Sequence, residues 1–211
     1  MDINDPNKLL CSTVKLVAFL NLGYFGIEFA VALAIGSVSL FADSIDFLED
    51  AAINLLIAFA LGWSARRRAR VGMFLAGILL IPGLATLWMA WEKLNLMTPP
   101  EPVSLTITAL GALVINLSCA FLLARYREHS GSLTKAAFLS ARNDVFANVA
   151  TLIAGLITAV TFSGWPDLIV GLGIALMNAG AAKEVWTAAR EEHRNHEAPD
   201  LINEKCNWFW M

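Results

Sequence analysis

The chain has 211 residues, 57% of them hydrophobic and 16% charged, with a formal net charge of −3. A soluble domain is about 45–50% apolar and about 25% charged, so these values exclude an ordinary soluble fold and point to a membrane protein. No long basic run offers a nucleic-acid surface. No nucleophile–base pair, phosphate loop or cofactor fingerprint points to an enzyme.

The N-terminus, MDINDPNKLL, is acidic and polar and does not read as a cleavable signal peptide. Residues 1–8 are therefore expected to form a cytoplasmic N-terminal segment. A spanning helix needs about 20 mostly apolar residues, and six stretches within residues 9–190 qualify. The first runs from about Leu9 to Ile35, and GSVS then makes a short break. The second, Leu40 to Trp63, carries acidic residues. The third, Val71 to Trp91, is followed by the proline-bearing loop MTPPEPVS. The fourth is Leu105 to Tyr126. The fifth is Leu133 to Phe162, with Ser140, Arg142, Asn143, Asp144 and Asn148 embedded in it. SGWPD is a turn, with Pro166 suited to an early helix position. The sixth runs from Leu168 to Trp186 and continues as a polar helix to about His193. Residues 191–211 form a short cytoplasmic tail, too short for an independent core. Its NWFWM end reads equally as an interfacial anchor or as a loosely docked tail. The expected fold is an all-α membrane protein, a six-transmembrane-helix bundle.

Basic residues sort the loops. Arg66, Arg67, Arg68 and Arg70 lie between the second and third segments, and Arg125, Arg127 and Lys135 between the fourth and fifth. Lys8 and Lys15 are near the N-terminus; Lys183, Arg190 and Arg194 are near the C-terminus. The alternate loops hold almost no positive charge, Lys93 being the main exception. The positive-inside rule then places both termini in the cytoplasm. The three cysteines, Cys11, Cys119 and Cys206, are far apart and form no CxxC pair, so no zinc ribbon is expected.

Acidic residues inside apolar sequence are the main functional signal. A carboxylate at membrane depth costs a few kcal/mol on insertion scales, and it commonly marks an ion or proton pathway. In FADSIDFLEDAAINLL, Asp43, Asp46, Asp50 and Asn54 follow three-four-four spacing, which draws one polar stripe along a helix. Glu49 falls off the centre of that stripe. In the fifth segment Ser140, Asp144 and Asn148 form a second stripe, and the first segment adds Asn21, Tyr24 and Glu28. Two facing oxygen stripes can hold a hard divalent cation. The bland readings stand beside this one. Asn21, Asn54 and Asn148 serve equally well as packing glue, Asp43 as a helix cap, and Glu28 or Glu49 as an ion-pair partner of Arg142. The burial cost favours a functional role for Asp46, Asp50 and Asp144 together.

At these residues the chain resembles the cation diffusion facilitator family. Glu28 through Asp50, EFAVALAIGSVSLFADSIDFLED, is similar to that family's glutamate, GSxSL-like turn and LAD-type second-helix start. A metal-ligand pair four apart follows, here Asp46 and Asp50. The fifth-helix HxxxD or DxxxD element corresponds to Ser140 through Asp144. RYREHSGSLTKAAFLSARND looks like the link from the fourth helix into the fifth, and WPDLIVGLGIALM resembles the family's last helix. The resemblance implies six spans, a metal site between helices two and five, metal–proton exchange and a homodimer. Ser140 stands where the family places a strong ligand, and Arg142 adds a positive charge nearby. The family's C-terminal cytoplasmic domain and the His-rich loop of many zinc members are expected to be absent.

The expected function is divalent cation efflux from a bacterial inner (plasma) membrane by metal/proton antiport. The partners are the metal ion, protons and the lipid bilayer, with no nucleic acid. Asp46, Asp50 and Asp144 are the expected metal ligands, with Ser140 a weak fourth ligand or water holder. The cargo would be Mn, Fe, Co or Zn, with no resident cofactor. Helices two and five would rock against the rest, by analogy with the family. The alternative is a non-transporting membrane protein, a subunit or metal sensor with a degenerate site, motivated by the incomplete fifth-helix element at Ser140 and by Arg142, which would repel a cation if it entered the site.

Overall fold

A computed structural model of the protein describes residues 6–60, 84–96, 98–125 and 132–194. Helices α1 (Pro6–Ile35), α2 (Val38–Ala60), α4 (Pro102–Ala124), α5 (Ser132–Thr161) and α6 (Trp165–Arg194) follow one another, with α3 at residues 84–95. Among the described residues all regular structure is helical. Most of the expected third span, the ARRRAR loop and the aromatic tail lie outside the described residues.

The GSVS break is a tight helix-to-helix corner. Gly36 adopts a left-handed φ of 65°, which costs glycine nothing. The Ser37 amide donates back to the Ala32 carbonyl at 3.0 Å, so α1 ends in a Schellman-type turn. The same Ser37 then starts α2: its hydroxyl oxygen accepts from the Leu40 amide at 3.2 Å, the N-cap bond. This cap is why α2 begins at Val38 rather than Leu40. At the start of α4, Glu101 accepts from the Val103 and Ser104 amides at 3.0 and 2.6 Å, and Pro102 takes the first helical position. The Ser104 hydroxyl and these two amides hold the Glu101 carboxyl below the usual glutamate range.

One carboxylate ties three helix ends together. Asp167, in the first turn of α6, is fully buried. It accepts from the Ser37 and Ser39 hydroxyls, each at 2.6 Å, and from the Val38 and Ser39 amides at 2.9 and 3.1 Å. The Lys93 ammonium, at the end of α3, stands 3.7 Å from it and donates to the Gly36 carbonyl. Burial pulls the Lys93 pKa down, and the facing carboxylate works against that pull. An anion at the N-terminus of α2 also complements the helix dipole.

The bundle is apolar outside and layered inside. Phe19, Ile107, Phe121, Phe146, Val160 and Leu176 are all exposed, as side chains facing lipid would be. Inside, Val14, Val17, Ile57, Cys119, Leu123 and Ala141 pack into one apolar layer. Ala32, Leu40, Phe41, Ile45, Leu105 and Ala109 form a second toward the other end. Along α1, α2 and α5 the buried polar residues fall largely between these layers: Asn21, Glu28, Asp46, Asp50, Asn54, Asp144 and Asn148. By length and composition, Leu9–Ile35, Pro102–Ala124 and Ser140–Thr161 are able to cross a bilayer. Helix α2 is long enough, but Asp43, Asp46, Glu49 and Asp50 interrupt its apolar sequence.

Candidate metal site

Helix α2 packs on α1 and α6 and also touches α5, and the polar stripes of α2 and α5 meet at that last contact. Asp50, at 2% exposure, is the centre of the arrangement. Its Oδ1 accepts from the Ser140 hydroxyl of α5 at 3.0 Å. Its Oδ2 accepts a long bond from the Asn21 amide of α1 at 3.5 Å. The Asn21 carbonyl oxygen in turn faces the Cys119 thiol of α4 at 3.5 Å. Asp144 lies within side-chain hydrogen-bonding reach of Asp50, so the two carboxyl groups meet across the α2–α5 interface. Asp46 sits about one turn earlier on α2, also buried, with Asp144 its strongest charged neighbour.

One helical turn beyond each of the paired carboxyls stands an asparagine. Asn54 donates to the Asp50 carbonyl at 2.8 Å, and Asn148 to the Asp144 carbonyl at 2.7 Å. Those donations fix which end of each amide is which. In both residues the amide oxygen is buried and has no donor. The α2–α5 seam is thus rich in acceptors, a surface that a cation would satisfy. Among the described residues no group of three or more His, Cys, Asp or Glu is closed up as a metal cluster. Asp50 and Asp144 form a pair with Asp46 beside it, so a shared ion requires Asp46 to swing in.

The structure sorts the remaining candidates. Asp43 does not cap α2: Ser37 and Asp167 do so, and both Asp43 oxygens are buried without a donor. Arg142 is exposed and, among the described residues, pairs with neither Glu28 nor Glu49. The 100° step of the helix places it on the face away from Asp144. The Tyr24 hydroxyl donates to the Thr108 carbonyl at 2.6 Å and so joins α1 to α4 instead of entering the site. Asn21, which reads equally well as packing glue, touches Asp50. Its spacing with Glu28 marked the right face of α1, but no sequence pattern named its partner.

Comparison with known proteins gives a consistent family. The cation efflux transmembrane domain matches residues 14–191. The chain is 26% identical to the zinc transporter ZitB of Escherichia coli over 171 residues, which covers 74% of this chain and 53% of the relative. The ZitB protein of Shigella flexneri matches with the same figures. That of Pectobacterium atrosepticum is 25% identical over 191 residues, 83% of this chain and 58% of the relative. The chain spans about half the length of these curated relatives.

Proposed function

The chain belongs to the cation efflux (cation diffusion facilitator) family of membrane transporters, and on that footing we propose that it exports a divalent metal cation in exchange for protons. The observation that carries this reading is the meeting of Asp50 and Asp144 across α2 and α5, buried and without a basic partner among the described residues. Two carboxylates brought together out of water repel each other, and a divalent cation between them removes that repulsion. Asp50 and Asp144 would supply the first oxygens, Asp46 a third, and Ser140 a hydroxyl that turns its lone pairs inward once the ion takes over Asp50. The expected ligand distances are about 2.0–2.6 Å.

Exchange follows from the chemistry of the ligands. A carboxylate holds either a proton or the metal, so binding releases protons and reprotonation expels the ion. The relatives, named as zinc transporters, support zinc as the cargo, while the oxygen-only donor set suits manganese, iron(II) or cobalt. The reading places six spans in a bacterial inner membrane, both termini in the cytoplasm, in a homodimer by family analogy. The alternative of a degenerate, non-transporting site has two grounds, Ser140 in place of a strong fifth-helix ligand and Arg142 entering the site; Arg142 is exposed, which speaks against the second.

The test is transport into proteoliposomes, with a panel of zinc, manganese, iron(II) and cobalt and a pH-sensitive dye. Parental protein is expected to move at least one of these metals with opposed proton flux. Asp50→Asn and Asp144→Asn are each expected to lose transport while folding normally, since a neutral isostere relieves the cost of a buried charge. Transport at the parental rate by either variant would remove that residue from the ligand set.

A further inference from the structure

Three buried oxygens on α5 continue from the candidate metal site toward the C-terminal end of the helix. The Asn148 amide oxygen and the Thr151 and Thr158 hydroxyls belong to residues at 0% exposure, and none of the three has a hydrogen-bond partner. By the 100° step of a helix, Asp144, Asn148, Thr151 and Thr158 fall within an arc of about 80°. They form one file, about 21 Å long from Asp144 to Thr158.

The two hydroxyls are turned away from their own helix. A threonine inside a helix commonly donates to the carbonyl four residues earlier. Thr106, Thr161 and Thr187 do so, at 2.7, 2.8 and 2.7 Å. Thr151 and Thr158 are buried and make no such bond. An unpaired buried hydroxyl is costly. Polar residues that only glue helices together pair their groups across the interface, and these do not.

The file faces the inside of the bundle. On one flank Ala147 packs with Ala42 of α2 and Ile174 of α6. On the other, α4 presses on Gly155, which lies on the same face between the two threonines. A Cβ there would stand 2.7 Å from the Thr106 hydroxyl oxygen and 3.4 Å from the Leu105 Cγ. Helix α4 therefore closes on the file between Thr151 and Thr158, with the fully buried Leu105 side chain against it. Neutral oxygens in such a row have a specific use. A cation leaving its carboxylates needs replacement oxygens that bind it weakly enough to let it go on. Hydroxyls and amide carbonyls suit a hard divalent ion and carry no charge that would trap it.

We propose that Asn148, Thr151 and Thr158 line the outward leg of the ion's path, and that Leu105 against Gly155 is its closed gate. The inference rests on the export reading above and deepens it, since the topology proposed there puts the C-terminal end of α5 outside. The ion passes from Asp144 to the Asn148 amide oxygen and the Thr151 hydroxyl, and reaches Thr158 once α4 and α5 part at Gly155.

The test uses the full chain. Thr151→Val and Thr158→Val each remove a hydroxyl that has no partner, so folding should hold or improve. Thr151 lies about 10 Å along the helix from Asp144, so metal affinity by calorimetry should stay within about twofold. The maximal transport rate in proteoliposomes should fall by about tenfold or more in either variant, as for a lost hydrogen bond to a charged group. Thr151→Ser and Thr158→Ser should transport faster than their valine counterparts. Valine variants that transport at the parental rate overturn the proposal. A second measurement reads the path without transport and decides the matter should a valine variant fail to fold. A membrane-impermeant thiol reagent is added to intact cells, and the modified positions are found by mass spectrometry. Thr158→Cys and Thr151→Cys should both be modified, the latter more when metal is supplied. Ala32→Cys, in the apolar layer toward the same end of the bundle, should stay unmodified. If the two threonine positions are modified no more than position 32, the file is packing and the proposal falls. Modification of both in a parental background that moves no metal would support the polar path and defeat the export reading instead.

Discussion

In the proposed metal site, Ser140 is the residue on which the metal preference would turn. Its hydroxyl donates to Asp50 at 3.0 Å, whereas Asn21 reaches the other oxygen only at 3.5 Å. Groups that orient a ligand typically matter by about 10–100-fold in metal affinity. Ser140→Ala is therefore expected to weaken metal binding by about that factor, and Asn21→Ala by less, because its bond is at the limit of useful length. Calorimetric titration of both variants checks the order, and a larger loss in Asn21→Ala would assign the orienting role to α1. Ser140→His replaces a hydroxyl with an imidazole nitrogen, which suits zinc better than manganese. Competition between the two metals in proteoliposomes is expected to move toward zinc in that variant. An unchanged order would mean that residue 140 never reaches the ion.

The Asp167 knot decides how α2 is held. Asp167→Ala would leave two hydroxyls, two amides and the Lys93 ammonium without their acceptor in a fully buried place. Stranding a buried partner charge costs about 3–5 kcal/mol, and thermal unfolding in detergent should show a loss of that size. Asp167→Asn keeps one acceptor oxygen and should fall between the parent and the alanine variant. The neighbouring Gly171 tests the close approach of α6 to α2. A Cβ there would stand 2.6 Å from the Val38 carbonyl carbon and 2.7 Å from the Ser39 nitrogen. Backbone atoms do not yield, so Gly171→Ala is expected to cost about 1–3 kcal/mol. Gly173, two residues on, has nothing within 4 Å of its Cβ position. There the same change should be neutral or stabilise by up to about 1 kcal/mol, as helix propensity favours alanine. Equal destabilisation at both positions would remove the close-approach argument. These elements also show how far sequence reasoning reaches. Periodicity drew the polar stripes of α1, α2 and α5, and the apolar runs ended within about four residues of the described helix ends. It could not show that Asn21 reaches Asp50, that Glu28 faces Asp43, or that Asp167 caps a helix some 130 residues earlier in the chain. A helical period identifies the face a side chain occupies; the partner on that face is chosen by how helices distant in sequence pack.

The proposed six-span arrangement needs the whole bundle to make α2 a membrane helix. Its 23 residues include eleven Leu, Ile, Phe and Val together with Asp43, Asp46, Glu49 and Asp50. On an insertion scale, eleven such apolar residues favour the bilayer by roughly 3–7 kcal/mol, while each acid near the centre opposes it by about 2.5–3.5 kcal/mol. The four acids outweigh the apolar residues, so α2 alone should stay in water. In the folded protein all four are buried, against α1, α5 and α6. Helix α1 supplies the first shelter: Asn21 reaches Asp50 and Glu28 meets Asp43, and the Gly36 corner returns α2 directly alongside it. Residues 38–60, placed alone in a host protein with glycosylation sites on either side, are therefore expected to translocate without spanning. Residues 6–60, carrying both helices, should insert α2 at a clearly higher fraction. Replacing Asp46 and Asp50 with leucine should let α2 span unaided. Efficient insertion of the unaltered segment alone would show that its carboxyls enter lipid without help from α1, and the cooperative account of α2 would fall.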